Sequence, residues 1–368
     1  MRALVHVTPP RTLKRDRKRS TIGRYQAIMA CLFVSPAMIL FAVFVLLPAV
    51  MALYLSFTDY DILTPPEWIG LNNYERLRHD RLFLTSVGNI LEYTAFFVPL
   101  MIVASLSLAI ALNRKRPGMV VFRMVYYLPV ITSPVAASVV WRWILNRQYG
   151  LLNELLGYVG IEGPAWLSQT DTAMAAIILV TLWQGIGSSM VVYLAGLQGI
   201  PRHLYEAAML DGANGWQCFL HVTWPSLRAT TFFITTMALI SSFQLFDQAY
   251  VLTKGGPGHA TRTPVYHIYE MGFNRLRMGY ASALSLVLFL IILAVTLVNL
   301  RLNREQSVLV EECAMTFKLT PLSILREGVF YGVLTLVGFI MLLPFLWASS
   351  TSLKLRRGIF TLPTRCVA

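Results

Sequence analysis

The side chains capable of covalent or metal chemistry are scattered along this 368-residue chain rather than grouped. Cys31, Cys218, Cys313 and Cys366 form neither a Cys-x-x-Cys pair nor a Cys/His set, so their spacing supports no metal site and no disulfide framework. Asp, Glu, His and Cys make no convincing cluster at catalytic spacing. The phosphate loop Gly-x-x-x-x-Gly-Lys-Ser/Thr is missing, and the glycine group Gly255, Gly256 and Gly258 surrounds Pro257 and reads as a turn. Bond-making chemistry is not expected of this chain, and no metal or cofactor is expected in it.

Noncovalent recognition is another matter. The stretch GIPRHLYEAAMLDGANGWQCFLHVTWPSL, residues 199–227, reads as helix, break, helix. Pro201 suits a first helical turn, 202–210 lacks breakers, and Gly212 after Asp211 can take the left-handed conformation that ends a helix. Pro225 is expected to begin the next membrane helix, where its missing amide is tolerated. Ala207 and Ala208 keep the surface low enough for another protein to approach, and Leu204, Tyr205, Met209 and Leu210 supply apolar contact. A helix lying on lipid headgroups usually has a strongly basic face, and this one has only Arg202 and His203. Docking into a protein groove fits better.

The elements that must carry this loop are membrane spans. Hydrophobic residues make up 56% of the chain and charged ones 13%, too few to coat a soluble globule of this size. Apolar runs near 28–56, 93–112, 121–141, 173–197, 229–250 and 281–300 suffice to cross about 30 Å of hydrocarbon, and a seventh lies near 329–350. The net charge of +13 sits at the ends of these runs, with eight of the 31 Lys and Arg residues in the first 24. That placement indicates a cytoplasmic amino terminus and a lipid-facing role rather than nucleic-acid binding. Arg114, Lys115, Arg116 and Arg123 then fall inside, and the acid-rich segment from Asp59 to Leu82 falls outside. Loop 199–228 is thereby placed in the cytoplasm. No segment between spans has room for a nucleotide-binding domain.

Transport sites are lined by a few polar and aromatic groups that replace a solute's water. The second span offers Asn89 and Tyr93, and the fourth and fifth offer Trp183, Gln184, Tyr193, Gln244, Asp247 and Tyr250. Helix packing or interfacial anchoring is the simpler reading of each. Glu92, Arg142 and Asp247 lie near span ends on the outer side and can snorkel to water. The spans hold no Lys or Arg at mid-depth, which leans toward a neutral sugar over a glycerol-phosphate-type solute.

The series Glu206-Ala207-Ala208, three residues, Gly212, nine residues, Val222, one residue, Trp224, Pro225 resembles the EAA loop of ABC importer permeases. Val222 and Trp224 stand where that pattern usually has Ile and Leu. FTDYDILTPPEWIGLNNYERL, FRMVYYLPVITSPVAASVVWRWIL and FDQAYVLTKGGPGHATRTPVYHIYEMGF resemble the carbohydrate-uptake branch, the MalF and UgpA type, over nearly all of 25–303. The resemblance implies an all-α, polytopic, six-helix permease core of the MetI-like kind, in a bacterial inner membrane. It implies a second permease of the MalG or UgpE type, two ATP-binding subunits that hold ATP and Mg, and an extracytoplasmic solute-binding protein. Glu206, Ala207, Ala208, Asp211, Gly212 and Pro225 would transmit the ATPase's motion.

Four regions follow: a basic terminus at 1–24, a permease domain at 25–303, a cytoplasmic linker at 304–328 and a tail at 329–368. From Met315 the chain repeats a basic-then-apolar opening, and LLPFLWASSTSLK resembles the first span of a MalG-type partner. Alternating orientation would leave Lys354, Arg356, Arg357 and Arg365 outside, against the positive-inside rule. A fused or frameshifted gene boundary is therefore favoured over an intended seventh span. An ion-coupled secondary transporter remains the other class to weigh, although paired repeats and midplane carboxylates are not evident.

Overall fold

A computed structural model describes residues 21–114, 116–302, 332–340, 342–343 and 346. The basic residues before Thr21, the linker and the charged end of the tail, which includes Lys354 and Arg365, lie outside the described residues. Two compact units divide the chain, Met1–Tyr54 and Leu55–Ala368.

The first unit is helical over Thr21–Phe41 and along the helix Leu47–Leu55 up to Tyr54, the two joined by a π-helical turn at Ala42–Leu46. That turn places the Leu47 amide on the Ala42 carbonyl, one residue ahead of Pro48. Proline has no amide to donate and crowds the carbonyl four residues back, and a widened turn accommodates both defects. The span Met29–Leu55 has a mean hydropathy of 2.7 and buries none of its most apolar window.

In the second unit two long helices form the axis: Arg81–Leu112 and Thr170–Gln198. Ile90, Tyr93, Phe97, Met101 and Ala109 are buried on the first, and Ile177, Val180, Met190 and Leu197 on the second. Gly187 lets a third helix come close, because a Cβ there would stand 2.4 Å from the Tyr126 carbonyl oxygen. Small residues at contacts are what membrane helices pack on, since lipid tails supply no hydrophobic drive between them. Among the described residues, Met278–Leu302 completes the set of straight helices that satisfy length and apolarity for crossing a membrane.

Two expected spans differ from plain rods. The third is broken: Met119–Ile131 and Pro134–Ile144 meet at 100°. Pro134 takes the first position of the second piece, and the residue before a proline avoids helical geometry. The fifth, Arg228–Phe243, has 16 residues, about 24 Å at 1.5 Å per residue, and resumes after a gap as the π turn Ala249–Thr253. The second begins earlier than expected, at Arg81, so Glu92 sits inside the helix on its exposed side rather than at its opening. Of the seventh, residues 332–340 are helical.

Asp80 clasps the end of the unit at which the Arg81 helix starts. Its Oδ1 accepts the amides of Leu82 and Phe83 at 2.9 and 3.1 Å, a helix N-cap. Its Oδ2 accepts from the Tyr280 hydroxyl at 2.7 Å and meets His267 Nε2 at 3.0 Å. Two guanidinium N–H groups of Arg262 point at His267 Nδ1 from 3.1 and 2.8 Å, so Nδ1 accepts, and the ring is neutral with its proton on Nε2. Arg262 also pairs with Glu270, which holds Arg275 at 3.1 Å. One carboxylate thus joins the starts of two long helices to the Pro264–Tyr269 helix.

Burial pulls His267 below the ordinary histidine value and Arg262 pulls the same way, while Asp80 opposes them. For Asp80 burial pushes upward, yet the bonds from Tyr280, the Phe83 amide and His267 carry it below the ordinary value. An unfolded histidine takes its proton near pH ~6.5 whereas folded His267 resists, so unfolding binds a proton and stability falls as pH drops below that point. The melting temperature of the purified chain in detergent should therefore decline from about pH 7 to 5. His267→Gln should melt lower throughout but lose that part of the slope; an unchanged slope would refute the clasp.

Candidate functional site

The loop at the opposite end of the Arg81 helix folds as its breaker pattern dictates. The helix runs Arg202–Leu210, as expected, with Pro201 extended just before it. Gly212 has φ +83°, and the Gly212 and Ala213 amides bond back to the Met209 and Ala208 carbonyls at 3.1 and 2.9 Å. Those paired bonds are a Schellman stop, which a residue with a Cβ adopts only under strain. Asn214 starts the next element at once: its side chain takes the Gln217 amide at 2.9 Å, and Gln217 returns a bond to the Asn214 amide at 2.8 Å.

The return helix therefore begins at Gly215, ahead of the expected Pro225. It passes through a π turn, Phe219–Thr223, whose Trp224 amide reaches the Phe219 carbonyl one residue before Pro225. This is the same solution used ahead of Pro48. Pro225 occupies the first turn of the short piece Trp224–Ser226 and is half-buried.

Tyr205 ties the two halves of the loop. Its hydroxyl meets Thr223 Oγ1 at 2.9 Å, and both line a cleft of about 220 Å³ with Ile110, Asn113, Leu197 and Phe219. On the other side Glu206, Ala207, Asp211 and Gly212 are exposed and Ala208 is half-buried. Leu210 is 89% exposed and Trp216 67%, an apolar rim on a loop held rigid from beneath.

The eight pathway candidates separate into two groups. Tyr93, 1% exposed, stacks on Phe97 with centroids 5.0 Å apart, and Trp183 meets Trp141 edge-on at 5.5 Å. Tyr193 is fully buried and donates to Thr231 Oγ1 at 3.2 Å. Asn89 donates to the His259 and Arg262 carbonyls at 2.7 and 3.0 Å, fastening the clasp segment to the Arg81 helix. These four are used in packing.

Gln244 is exposed, Asp247 half-buried and Tyr250 exposed, all where the fifth span breaks. Gln184 belongs with them through Gln248, a residue the sequence reading missed. The Gln248 amide donates to Gln184 Oε1 at 3.0 Å, and Gln184 donates to the Thr132 carbonyl at 3.2 Å, at the bend of the third span. The rings around Tyr250 were missed too: Phe246 lies 5.4 Å away, Tyr269 5.4 Å and Tyr266 6.1 Å. A signal was present for the rest of this face. Phe233, Met237, Ser241 and Gln244 recur at spacings of four, four and three and are all exposed, one stripe turning polar toward the break.

Long apolar helices, a broken span with polar side chains at its bend and a doubly capped exposed loop define a polytopic helical membrane transport protein. The match to a family model places it more closely. Residues 80–308 match the binding-protein-dependent transport system inner membrane component, and the chain belongs to that family. It is 38% identical to the probable ABC transporter permease protein YesP of Bacillus subtilis over 76% of this chain and 92% of that protein. It is 35% identical to the arabinooligosaccharides transport system permease protein AraP of the same organism, over 74% and 87%. The sulfoquinovosyl glycerol transport system permease protein SmoG of Agrobacterium fabrum is 33% identical over 76% and 91%. In fold the chain is similar to a solved bacterial ABC transporter involved in import of the acidic polysaccharide alginate, with a TM-score of 0.67 at 23% identity, over 77% of this chain and 96% of that one. The chain is a membrane-embedded permease subunit of a binding-protein-dependent ABC importer.

Tyr205→Phe should remove the bond to Thr223 at a cost of about 1 kcal/mol, speeding hydrogen exchange across 202–213 about fivefold. Gly212→Val should loosen the same amides further through left-handed strain of ~1–2 kcal/mol. Exchange equal to the native chain in both would contradict the two-point bracing of this helix.

Proposed function

We propose that this chain forms one half of a translocation path for a sugar or related polyol, moved by separate ATPase subunits that press on loop 199–228. The observation that carries this reading is the Arg202–Leu210 helix, capped at its end, braced by Tyr205 and presenting an exposed low-relief face with apolar edges. Such a surface suits a groove on another protein, because burying Leu210 and Met209 is favourable while Ala207 allows close approach. Glu206, Ala207, Ala208, Asp211 and Gly212 form the contact, and Pro225 with its π turn passes the displacement into the fifth span.

ATP and Mg are assigned to two ATP-binding subunits, and hydrolysis to them alone. A second permease of the MalG or UgpE type supplies the other half of the path, and an extracytoplasmic solute-binding protein delivers cargo. The amino terminus and loop 199–228 face the cytoplasm, with 1–24 as a basic anchor, 25–303 as the permease domain and 304–328 as a linker.

The stripe Ser241, Gln244, Asp247 and Tyr250 faces the path. An exposed Gln and a half-buried Asp are costly against lipid tails and natural against a hydrated solute. Tyr250, with Tyr266 and Tyr269 beside it, offers an aromatic surface suited to a sugar ring. Names of relatives such as the arabinooligosaccharides AraP and starch-degradation-products AmyD proteins support a carbohydrate cargo.

Ala207→Asp tests the coupling. Ala207 is exposed, so the variant should insert and melt like the native chain. In cells offered a panel of labelled neutral oligosaccharides, uptake supported by the native importer should fall about tenfold or more, the loss of ~1.4 kcal/mol or more at an interface hot spot. Uptake at the native rate would sink the coupling role.

A further inference from the structure

The Asp80 end of the second unit carries more arginine than its acids neutralise, and carries it where two spans begin. Arg81 is the first residue of the span Arg81–Leu112, and Arg277 directly precedes the span Met278–Leu302. Arg78 closes the short helix Asn72–Arg78, two residues ahead of the Asp80 cap. The clasp holds both span starts at one height, because Asp80 caps the first and accepts from Tyr280 in the first turn of the second. The Arg76 guanidinium lies over the Tyr280 ring, 5.0 Å from its centroid, which brings the short helix onto the same patch.

The nearby acids are occupied. Asp80 serves two amides, Tyr280 and His267, and Glu270 serves Arg262 and Arg275. Asp59 and Glu67 lie in the paired strands Thr58–Asp59 and Glu67–Trp68, and the Asp61 carboxylate accepts the Leu63 and Thr64 amides in the turn between them. Glu75 is exposed on the short helix and leaves the balance positive. Among the described residues Arg78, Arg81 and Arg277 are exposed and make no ion pair.

Two features set these arginines apart from ordinary surface charge. A cation at the start of a helix sits against the positive end of its dipole, so Arg81 and Arg277 do not serve the helices they introduce. Leu276, between Arg275 and Arg277, has φ +55°, a left-handed conformation rare for so bulky a side chain and of the kind kept where a site requires it. With that turn the Arg277 amide bonds to the Met271 carbonyl at 2.9 Å, and the Arg277 side chain stays exposed.

Apolar surface adjoins the charge. Leu84, one turn along from Arg81, is 55% exposed, and Phe273 is 64% exposed. Guanidinium forks match phosphate oxygens, and acyl chains match Leu84 and Phe273, so a phospholipid satisfies both surfaces together. An acidic protein face would match the arginines alone, since Leu84 belongs to the apolar span. We infer that Arg78, Arg81 and Arg277 form a binding site for the phosphate of an anionic phospholipid, in the leaflet at the Asp80 end. Under the proposed orientation this is the outer leaflet. The bound headgroup bridges the short helix and the two span starts, adding to the hold of the clasp.

Lipid binding tests this without ATP, solute or partner subunits. The purified full chain in detergent is titrated with phosphatidylglycerol, phosphatidylcholine or inorganic phosphate, with melting temperature and the lipid retained in native mass spectra as readouts. Phosphatidylglycerol should raise the melting temperature and survive delipidation, and the other two should do neither. Arg81→Gln with Arg277→Gln should melt no lower than the native chain in lipid-free detergent, yet bind phosphatidylglycerol about tenfold or more weakly. Arg78→Gln alone should weaken it about threefold. Arg142→Gln with Arg147→Gln removes the same charge from two other exposed positions and should bind as the native chain does.

Equal weakening by both pairs would reduce the effect to net charge and overturn the site, as would native affinity in the Arg81 and Arg277 pair. Stabilisation by inorganic phosphate equal to that by phosphatidylglycerol would make this an ion site and refute the lipid. Unchanged lipid retention together with lost uptake in cells would reassign the arginines to an acidic protein face.

Discussion

In hydrocarbon a peptide carbonyl without a hydrogen bond costs several kcal/mol, and that requirement is met by side chains at two breaks in the membrane helices. At the 100° bend of the third span the Thr132 carbonyl is taken by Gln184, which is itself held by Gln248. Where the fifth span breaks, the Leu245 carbonyl receives the Thr263 hydroxyl at 2.8 Å. Each repair comes from another segment, so breaking one helix ties two others to it. The polar side chains in the bundle are there first to make its irregular backbone affordable, and the face they leave exposed is a consequence of where the breaks fall.

The same requirement divides what was legible in the sequence from what was not. Span positions follow from apolar run length, and the limits of the 202–210 helix follow from Pro201 and Gly212, because both depend on local chemistry alone. The bend at 132–133 lay inside an unbroken apolar run; Pro129 and Pro134 marked a weak point, but a proline kinks some helices and splits others. The early start at Arg81 was hidden because Asp80 caps that helix beyond the apolar stretch by which spans are recognised. Among the pathway candidates, Tyr93 and Tyr193 were drawn into packing because their hydroxyls found partners within the bundle, a matter of distance that residue type does not encode. Gln248 escaped notice for the complementary reason: its role is to orient Gln184, and nothing in its own neighbourhood announces that.

The two ends of the second unit are built on different principles. At the Asp80 end an anionic N-cap, a neutral histidine and an arginine form a relay in which the side chains of Asp80, His267 and Arg262 are bonded in series. Loss of one member leaves others desolvated and unpaired, so that end resists piecemeal movement. At the loop end Tyr205, Phe219 and Val222 pack on the core and the Tyr205–Thr223 hydroxyl pair spans a cleft of about 220 Å³, while Leu210 and Trp216 are left exposed. Burial there is incomplete among the described residues.

That asymmetry bears on how a push at the loop would travel. A load on the Arg202–Leu210 helix meets the Schellman stop and the Asn214 capping box first, both of which hold geometry without filling space. It then meets the π turn before Pro225, where the ladder is already widened and a proline has removed one bond. Rotation is cheapest there, because fewer backbone bonds must break than in regular helix. Beyond it the Arg228–Phe243 helix ends at the break by Gln244, where the Leu245 carbonyl is held by Thr263, the neighbour of Arg262 in the clasp. Under the proposed coupling, motion entering at the loop would be taken up between the π turn at one end of the fifth span and the braced break at the other, so the stripe from Phe233 to Gln244 is the part that would turn between them.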